Sequence, residues 1–246
     1  LFDVQCGFGG SRAGERASPD AAHLRTEMQR LSVQRALVRH APHERDQDVP
    51  LTNRTLFAAC QQDPTLMPCP VLLPAIAGDM SPEPEQVETL LRQGGGAGHL
   101  RPGQDHWLPV RWAAGALLDA LEERRVPALL SAADVRPERL AELAAGWPDL
   151  PLLYVALGYR EQRTLLALLE NFPNIYLSLG ACYTVQGGVE QLARRAGPQR
   201  LLFGTGYPDS DMMPAIAMLL YADLDDDARA LIAAGNLDRL IGGILR

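Results

Sequence analysis

Eight short apolar runs recur along the chain, most of them followed by a segment with apolar residues at three- and four-residue spacing. Such alternation is the signature of repeated βα units, in which helices cross over between neighbouring parallel strands. The runs are Phe2 to Phe8, Val33 to Arg39, Pro70 to Ile76, Ala97 to Arg101, Val126 to Ser131, Leu152 to Leu157, Ile175 to Leu179 and Leu201 to Thr205. The clearest amphipathic segments are Trp112 to Arg125, Pro137 to Ala145, Gln162 to Asn171 and Val189 to Ala196. Eight strands with eight crossovers close a (β/α)8 barrel, and 246 residues suit one such domain, which takes about 250. A single TIM-barrel domain over residues 1–246 is therefore expected. Pro82 and Pro137 suit first helical positions, and Gly146, Gly158 and Gly197 suit helix ends or strand exits. A closing helix pair, Asp225 to Ala234 and Asn236 to Ile244, is expected to break at Gly235.

Composition excludes several functions. All 23 basic residues are arginine, which removes Schiff-base catalysis, a phosphate-loop lysine and a carboxylated lysine bridging two metals. The Gly94-Gly95-Gly96 run lacks a following Lys-Ser or Lys-Thr and reads as a loop. A net charge of −7 without a basic window argues against nucleic acid or an anionic membrane surface as partner. Cys6, Cys60, Cys69 and Cys182 show no CxxC spacing, so neither a zinc cage nor a redox pair is expected, and a reduced cytoplasmic setting is the default. No apolar run reaches membrane-spanning length and no leader pattern is present, so neither a span nor a signal peptide is expected.

The strand ends carry a family resemblance. Residues Asp3-Val4-Gln5-Cys6-Gly7-Phe8-Gly9 resemble the amidohydrolase first-strand pattern D-x-H-x-H-x-G, and Leu201-Leu202-Phe203-Gly204-Thr205-Gly206-Tyr207-Pro208 resemble that family's last-strand LLFGTDxP. Residues Arg35 to Val38, Asn174 to Ser178 and Ala234 to Leu240 are similar to segments of the aminocarboxymuconate-semialdehyde-decarboxylase-like branch. The resemblance implies a barrel binding one or two divalent metals through two first-strand histidines, histidines after strands five and six, and an aspartate after strand eight. Those positions here hold Gln5, Gly7, Ser131, Ala156 and Gly206. A catalytic zinc needs about three nitrogen, oxygen or sulfur ligands. No metal and no other cofactor is accordingly expected.

Active sites in these barrels sit at the C-terminal mouth, so side chains facing inward there are the candidates. With Gln5 and Gly7 inward, a period of two turns Asp3 inward and Phe2, Val4, Cys6 and Phe8 toward the helices. The same logic groups His99 with Arg101, and Tyr176 with Ser178. His99, Arg101 and Asp3 are expected to carry the chemistry: His99 can move a proton near neutral pH, and the Arg101 fork can hold a carboxylate. The alternative is a structural Arg101–Asp3 salt bridge with His99 on a backbone carbonyl. Gln5, Tyr176, Ser178, Arg160 and His106 are expected substrate contacts, with Arg160 otherwise solvated beside Tyr159. His40, His43 and His106 follow strands and could form a relocated metal site or be surface histidines. Asp209 and Asp211 could act as acid or base, although a turn and a helix cap are the simpler roles.

Two functions follow. One is a metal-independent hydrolase or lyase of a small carboxylated substrate; the other is a catalytically silent barrel with a ligand-binding or regulatory role. The expected partner is a small, anionic molecule, with a homo-oligomer left open.

Overall fold

The computed structural model describes residues 1–9, 20–40 and 48–246; His43 lies outside them. Among the described residues eight parallel strands are found: β1 (Phe2–Phe8), β2 (Arg35–His40), β3 (Leu66–Pro68), β4 (Gly98–Leu100), β5 (Ala128–Ser131), β6 (Leu152–Val155), β7 (Ile175–Leu179) and β8 (Leu201–Phe203). Helices follow them in order: α1 (Ala21–Arg30), α2 (Val49–Gln61), α3 (Glu83–Arg92), α4 (Arg111–Glu123), α5 (Pro137–Gly146), α6 (Gln162–Asn171), α7 (Gly188–Ala196) and α8 (Met212–Tyr221).

The ladders run β1-β2-β3 and β4 through β8, and two seams join them into a closed (β/α)8 barrel. At one seam a bridge pairs Val71 with His99, whose N–H donates to Pro70 O at 2.8 Å and whose carbonyl accepts from Leu72 N at 3.1 Å. At the other a bridge pairs Cys6 with Tyr207, and Gly206 N donates to Gln5 O at 2.7 Å.

Asp side chains open several helices by accepting an otherwise orphaned backbone N–H. Asp20 takes His23 N at 2.8 Å, Asp48 takes Leu51 N at 2.8 Å and Asp211 takes Met213 N at 2.7 Å. Pro137 occupies the first turn of α5 as expected, whereas Pro82 stands one place earlier, capping α3. The chain stays helical through Gly235: α9 (Asp226–Ala230) runs through a π-helical turn at Leu231–Gly235 into α10 (Asn236–Gly242), correcting the expected break.

This closing segment plugs the N-terminal end of the barrel. Leu237 and Leu240 pack with Phe2, Val4, Leu37, Leu129, Leu153 and Leu202 in the apolar interior. Asn236 Nδ2 donates to Pro198 O and Leu201 O, both at 2.8 Å, satisfying carbonyls at the start of β8. With that end filled by hydrocarbon, any polar site belongs at the opposite mouth.

A bulge in β1 decides which residues reach that mouth. Asp3 pairs with Ala36 but Cys6 pairs with Val38, so three steps on β1 face two on β2. The inward set slips by one residue across it. Phe2 and Val4 face into the barrel, correcting the expectation that they face the helices, while Cys6 and Phe8 pack outside as expected.

At the top of β8, a Cβ on Gly204 would lie 2.2 Å from Ser178 Oγ and 2.8 Å from Gln5 Cβ. Gly204→Ala is expected to cost about 1–3 kcal/mol through overpacking. A urea midpoint equal to wild type would show instead that this strand end yields freely.

Candidate active site at the barrel mouth

Three basic side chains from β2 and β4 gather inside the barrel. His99 is buried, and its Nδ1 finds no hydrogen-bond partner among the described residues. Burial first, then the charges of Arg39 and Arg101, hold its basicity well below the usual histidine range. It is therefore neutral at neutral pH. Arg39 stands on the inward face of β2, two residues beyond the interior Leu37, and its buried Nε is likewise without a partner among the described residues.

Arg101 is engaged by Asp105, a carboxylate with no periodic signal in the sequence. Its Nε and Nη2 donate to Asp105 Oδ2 and Oδ1 at 2.9 and 2.8 Å, and the two side chains are 7% and 11% exposed. Asp105 N donates back to Arg101 O at 2.8 Å, so a tight turn after β4 builds the fork. Burial pushes the Asp105 carboxyl above its ordinary value, opposed by the hydrogen bonds and charge of Arg101. The alternative Arg101–Asp3 salt bridge does not form, since Arg101 pairs with Asp105.

Asp3 does not line the mouth. It is fully buried at the β1–β8 seam, where it accepts from Thr205 Oγ1 at 2.5 Å, Thr205 N at 3.0 Å and Gln5 N at 2.9 Å. Its burial raises its carboxyl above the ordinary value, against those hydrogen bonds.

Gln5 and Ser178 do face inward and meet. Gln5 Oε1 accepts from Ser178 Oγ at 3.2 Å and from Ala156 N at 3.1 Å. Tyr176 faces inward but at the wrong height, since it lies at the plugged end under the guanidiniums of Arg200 and Arg239 at 5.3 and 5.8 Å. Arg160 is exposed and folds onto Tyr159, with Nε donating to its hydroxyl at 2.9 Å. His106 is exposed, adopts φ +54°, and lines a groove of about 440 Å³ between the loops after β4 and β5. Tyr176 thus corrects the expectation that it lines the mouth, while Arg160 and His106 stand exposed on loops after β6 and β4.

His40 points away from the interior and packs on the Phe8 ring at 5.1 Å. It shares no site with His99 or His106, and no three His, Cys, Asp or Glu among the described residues gather as a metal cluster. Asp211 is the cap of α8, and Asp209 is exposed.

The positions that would hold a divalent cation do not fit one. Gln5 Oε1 already accepts two hydrogen bonds, Ser131 Oγ accepts from Ala133 N at 3.2 Å, and Gly7, Ala156 and Gly206 carry no donor atom. A Cβ at Gly7 would come 2.9 Å from the Arg39 carbonyl oxygen, leaving no room for a larger side chain unless β2 moves.

No curated protein sequence matches the chain. Among solved structures, the fold is similar to 2,6-dihydroxybenzoate decarboxylase from Rhizobium, with TM-score 0.74 and 12% identity over 98% of each chain. It is similar also to 5-carboxyvanillate decarboxylase from Novosphingobium aromaticivorans, complexed with manganese and 4-hydroxy-3-methoxy-5-nitrobenzoic acid, with TM-score 0.75 and 11% identity over 98% of this chain and 95% of that one. A TIM-barrel protein from Bordetella bronchiseptica gives TM-score 0.71 and 19% identity over 91% and 83% of the two chains. The family model described as amidohydrolase matches residues 12–242, every element from α1 to α10, and the chain belongs to that amidohydrolase family.

Proposed function

We propose that the barrel mouth binds a small carboxylated molecule and acts on it as a lyase or hydrolase through proton transfer at His99. The observation that carries this is the pair of buried polar atoms without a partner among the described residues, His99 Nδ1 and Arg39 Nε, beside Arg101. Buried polar groups left unpaired cost about 1–3 kcal/mol each, and a carboxylate entering between them supplies acceptors for both. Structures of similar fold complexed with 2,6-dihydroxybenzoate and with 4-hydroxy-3-methoxy-5-nitrobenzoic acid support the same substrate class.

In this scheme Arg39 and the remaining donors of Arg101 hold the carboxylate, and neutral His99 is the base. The substrate's negative charge offsets the two guanidiniums and restores basicity to the imidazole at the moment it is needed. No step runs through a metal, because the residues present do not fit one.

A silent, ligand-binding barrel is the second reading, favoured by the low basicity of unliganded His99 and by the Asp105 that already occupies the Arg101 fork. Hydroxylated benzoic acids, 2,6-dihydroxybenzoate among them, and aromatic lactones should be titrated calorimetrically and assayed for turnover, with and without chelator. Binding with chelator-insensitive turnover is the expected result. Binding without turnover leaves the silent barrel, and no binding by any acid sinks both.

A further inference from the structure

We propose that the Gln5 carboxamide takes the structural place of a divalent cation at the barrel mouth, and that the chain takes up none between β1, β5, β6 and β8. It goes beyond the anion site, which is built from β2 and β4.

Gln5 ties four strands. Its side-chain oxygen accepts from Ala156 N, just past β6, and from Ser178 Oγ on β7. Its backbone oxygen accepts from Gly206 N past β8, and its backbone N–H donates to Asp3 on β1 itself. A cation held by side chains from several strands draws the same ends together, and one neutral amide here does so with hydrogen bonds.

The surroundings are shaped to that amide. A Cβ at Gly180 would stand 3.0 Å from Gln5 Oε1, one at Gly204 2.8 Å from Gln5 Cβ, and one at Gly206 3.5 Å from Gln5 Nε2. A side chain at Gly204 would displace Gln5 and one at Gly180 would crowd its oxygen, while one at Gly206 would only touch it, so the first two glycines leave the volume that Gln5 fills. Ala156 adopts φ +60°, a left-handed conformation unfavourable for a residue with a Cβ, and the bond from its N–H to Gln5 helps to hold it there. A ligand set would need the Gln5 oxygen freed from two donors and side-chain donors where Gly7, Ala156 and Gly206 have none.

The experiment is elemental analysis of wild-type protein produced with added zinc and manganese, combined with melting curves and amide hydrogen exchange for wild type, Gln5→Ala and Gln5→Glu. Expected are metal far below one ion per chain and a wild-type melting temperature unmoved by chelator. Gln5→Ala should lower that temperature by about 4–8 °C and speed exchange of the Ala156 amide, and Gln5→Glu, which keeps the acceptor oxygen, should recover most of both. Stoichiometric zinc or manganese in the wild type, or melting lowered by chelator, overturns the proposal, as does a Gln5→Ala protein with wild-type melting and Ala156 protection. If Gln5→Ala fails to fold, the wild-type metal content and the Gln5→Glu exchange still decide.

Discussion

Asp3→Ala is expected to destabilise the barrel by about 3–5 kcal/mol, a large part of the 5–15 kcal/mol that holds a typical domain together. The carboxylate takes the N–H groups of Gln5 and Thr205 together with the Thr205 hydroxyl, all away from water. Alanine leaves two buried backbone donors without acceptors, each costing about 1–3 kcal/mol, and opens the seam that closes β8 onto β1. Each kcal/mol lowers the melting temperature of a chain this size by roughly 2–4 °C. Asp3→Asn should be far milder. Its amide oxygen can still accept from both N–H groups, its NH2 can donate to Thr205 Oγ1, and no charge is buried. The sign of the pH effect separates the two states of Asp3. Its folded pKa is raised above the unfolded value, so the stability linked to its proton is present at acid pH and lost as pH rises through the folded pKa. Asp3→Asn should remove that loss. Melting curves of the three proteins across pH test this, and an Asp3→Ala protein as stable as wild type would show the seam held by its backbone bonds alone.

Much of the barrel is legible in the sequence, because burial on both faces writes parallel strands as apolar runs. The third strand is the exception. The apolar run Pro70 to Ile76 points to a strand there, whereas β3 is Leu66–Pro68. Pro68, Pro70 and Pro74 have no N–H to give a ladder, so the apolar stretch serves as the crossing between sheets, with Cys69 N on Val38 O and His99 N on Pro70 O. Periodicity gives a face but no height. It set Tyr176 inward correctly, yet only the packing of α10 reveals that this is the plugged end. It also fails across a bulge, so it misplaces Asp3, Phe2 and Val4 but not Gln5. Arg39 is legible by the same rule, standing two residues beyond the inward Leu37 at the end of an apolar run. Asp105, four residues after Arg101 in a turn, left no periodic signal.

Carboxylate affinity at the mouth is expected to tighten as pH falls, and to weaken about 10- to 100-fold when Arg39 is replaced by methionine. In the free protein His99 is neutral, its pKa lowered by burial and by two neighbouring guanidinium charges. A bound carboxylate opposes those charges and raises the pKa, so the complex holds more protons than the free protein. By linkage the association constant then rises with falling pH through the bound-state pKa, at most tenfold per unit, and levels off below the free-state value. Benzoate is a suitable probe between about pH 5.5 and 8, where its own carboxylate stays ionised. His99→Gln should keep a hydrogen bond to the anion and flatten the pH profile. Arg39→Met removes a charged hydrogen bond of about 1.5–3 kcal/mol, the origin of the expected loss, while its hydrocarbon stem keeps the interior filled. Arg101→Met should weaken binding less, since the Arg101 fork is already spent on Asp105, but should melt lower by stranding that buried carboxylate. If Arg39→Met binds benzoate as wild type does while Arg101→Met does not, the anchor is Arg101 after all and Asp105 must swing aside to admit the ligand. Affinity that weakens as pH falls would mean that His99 gives up no basicity to its neighbours and is not the group facing the anion.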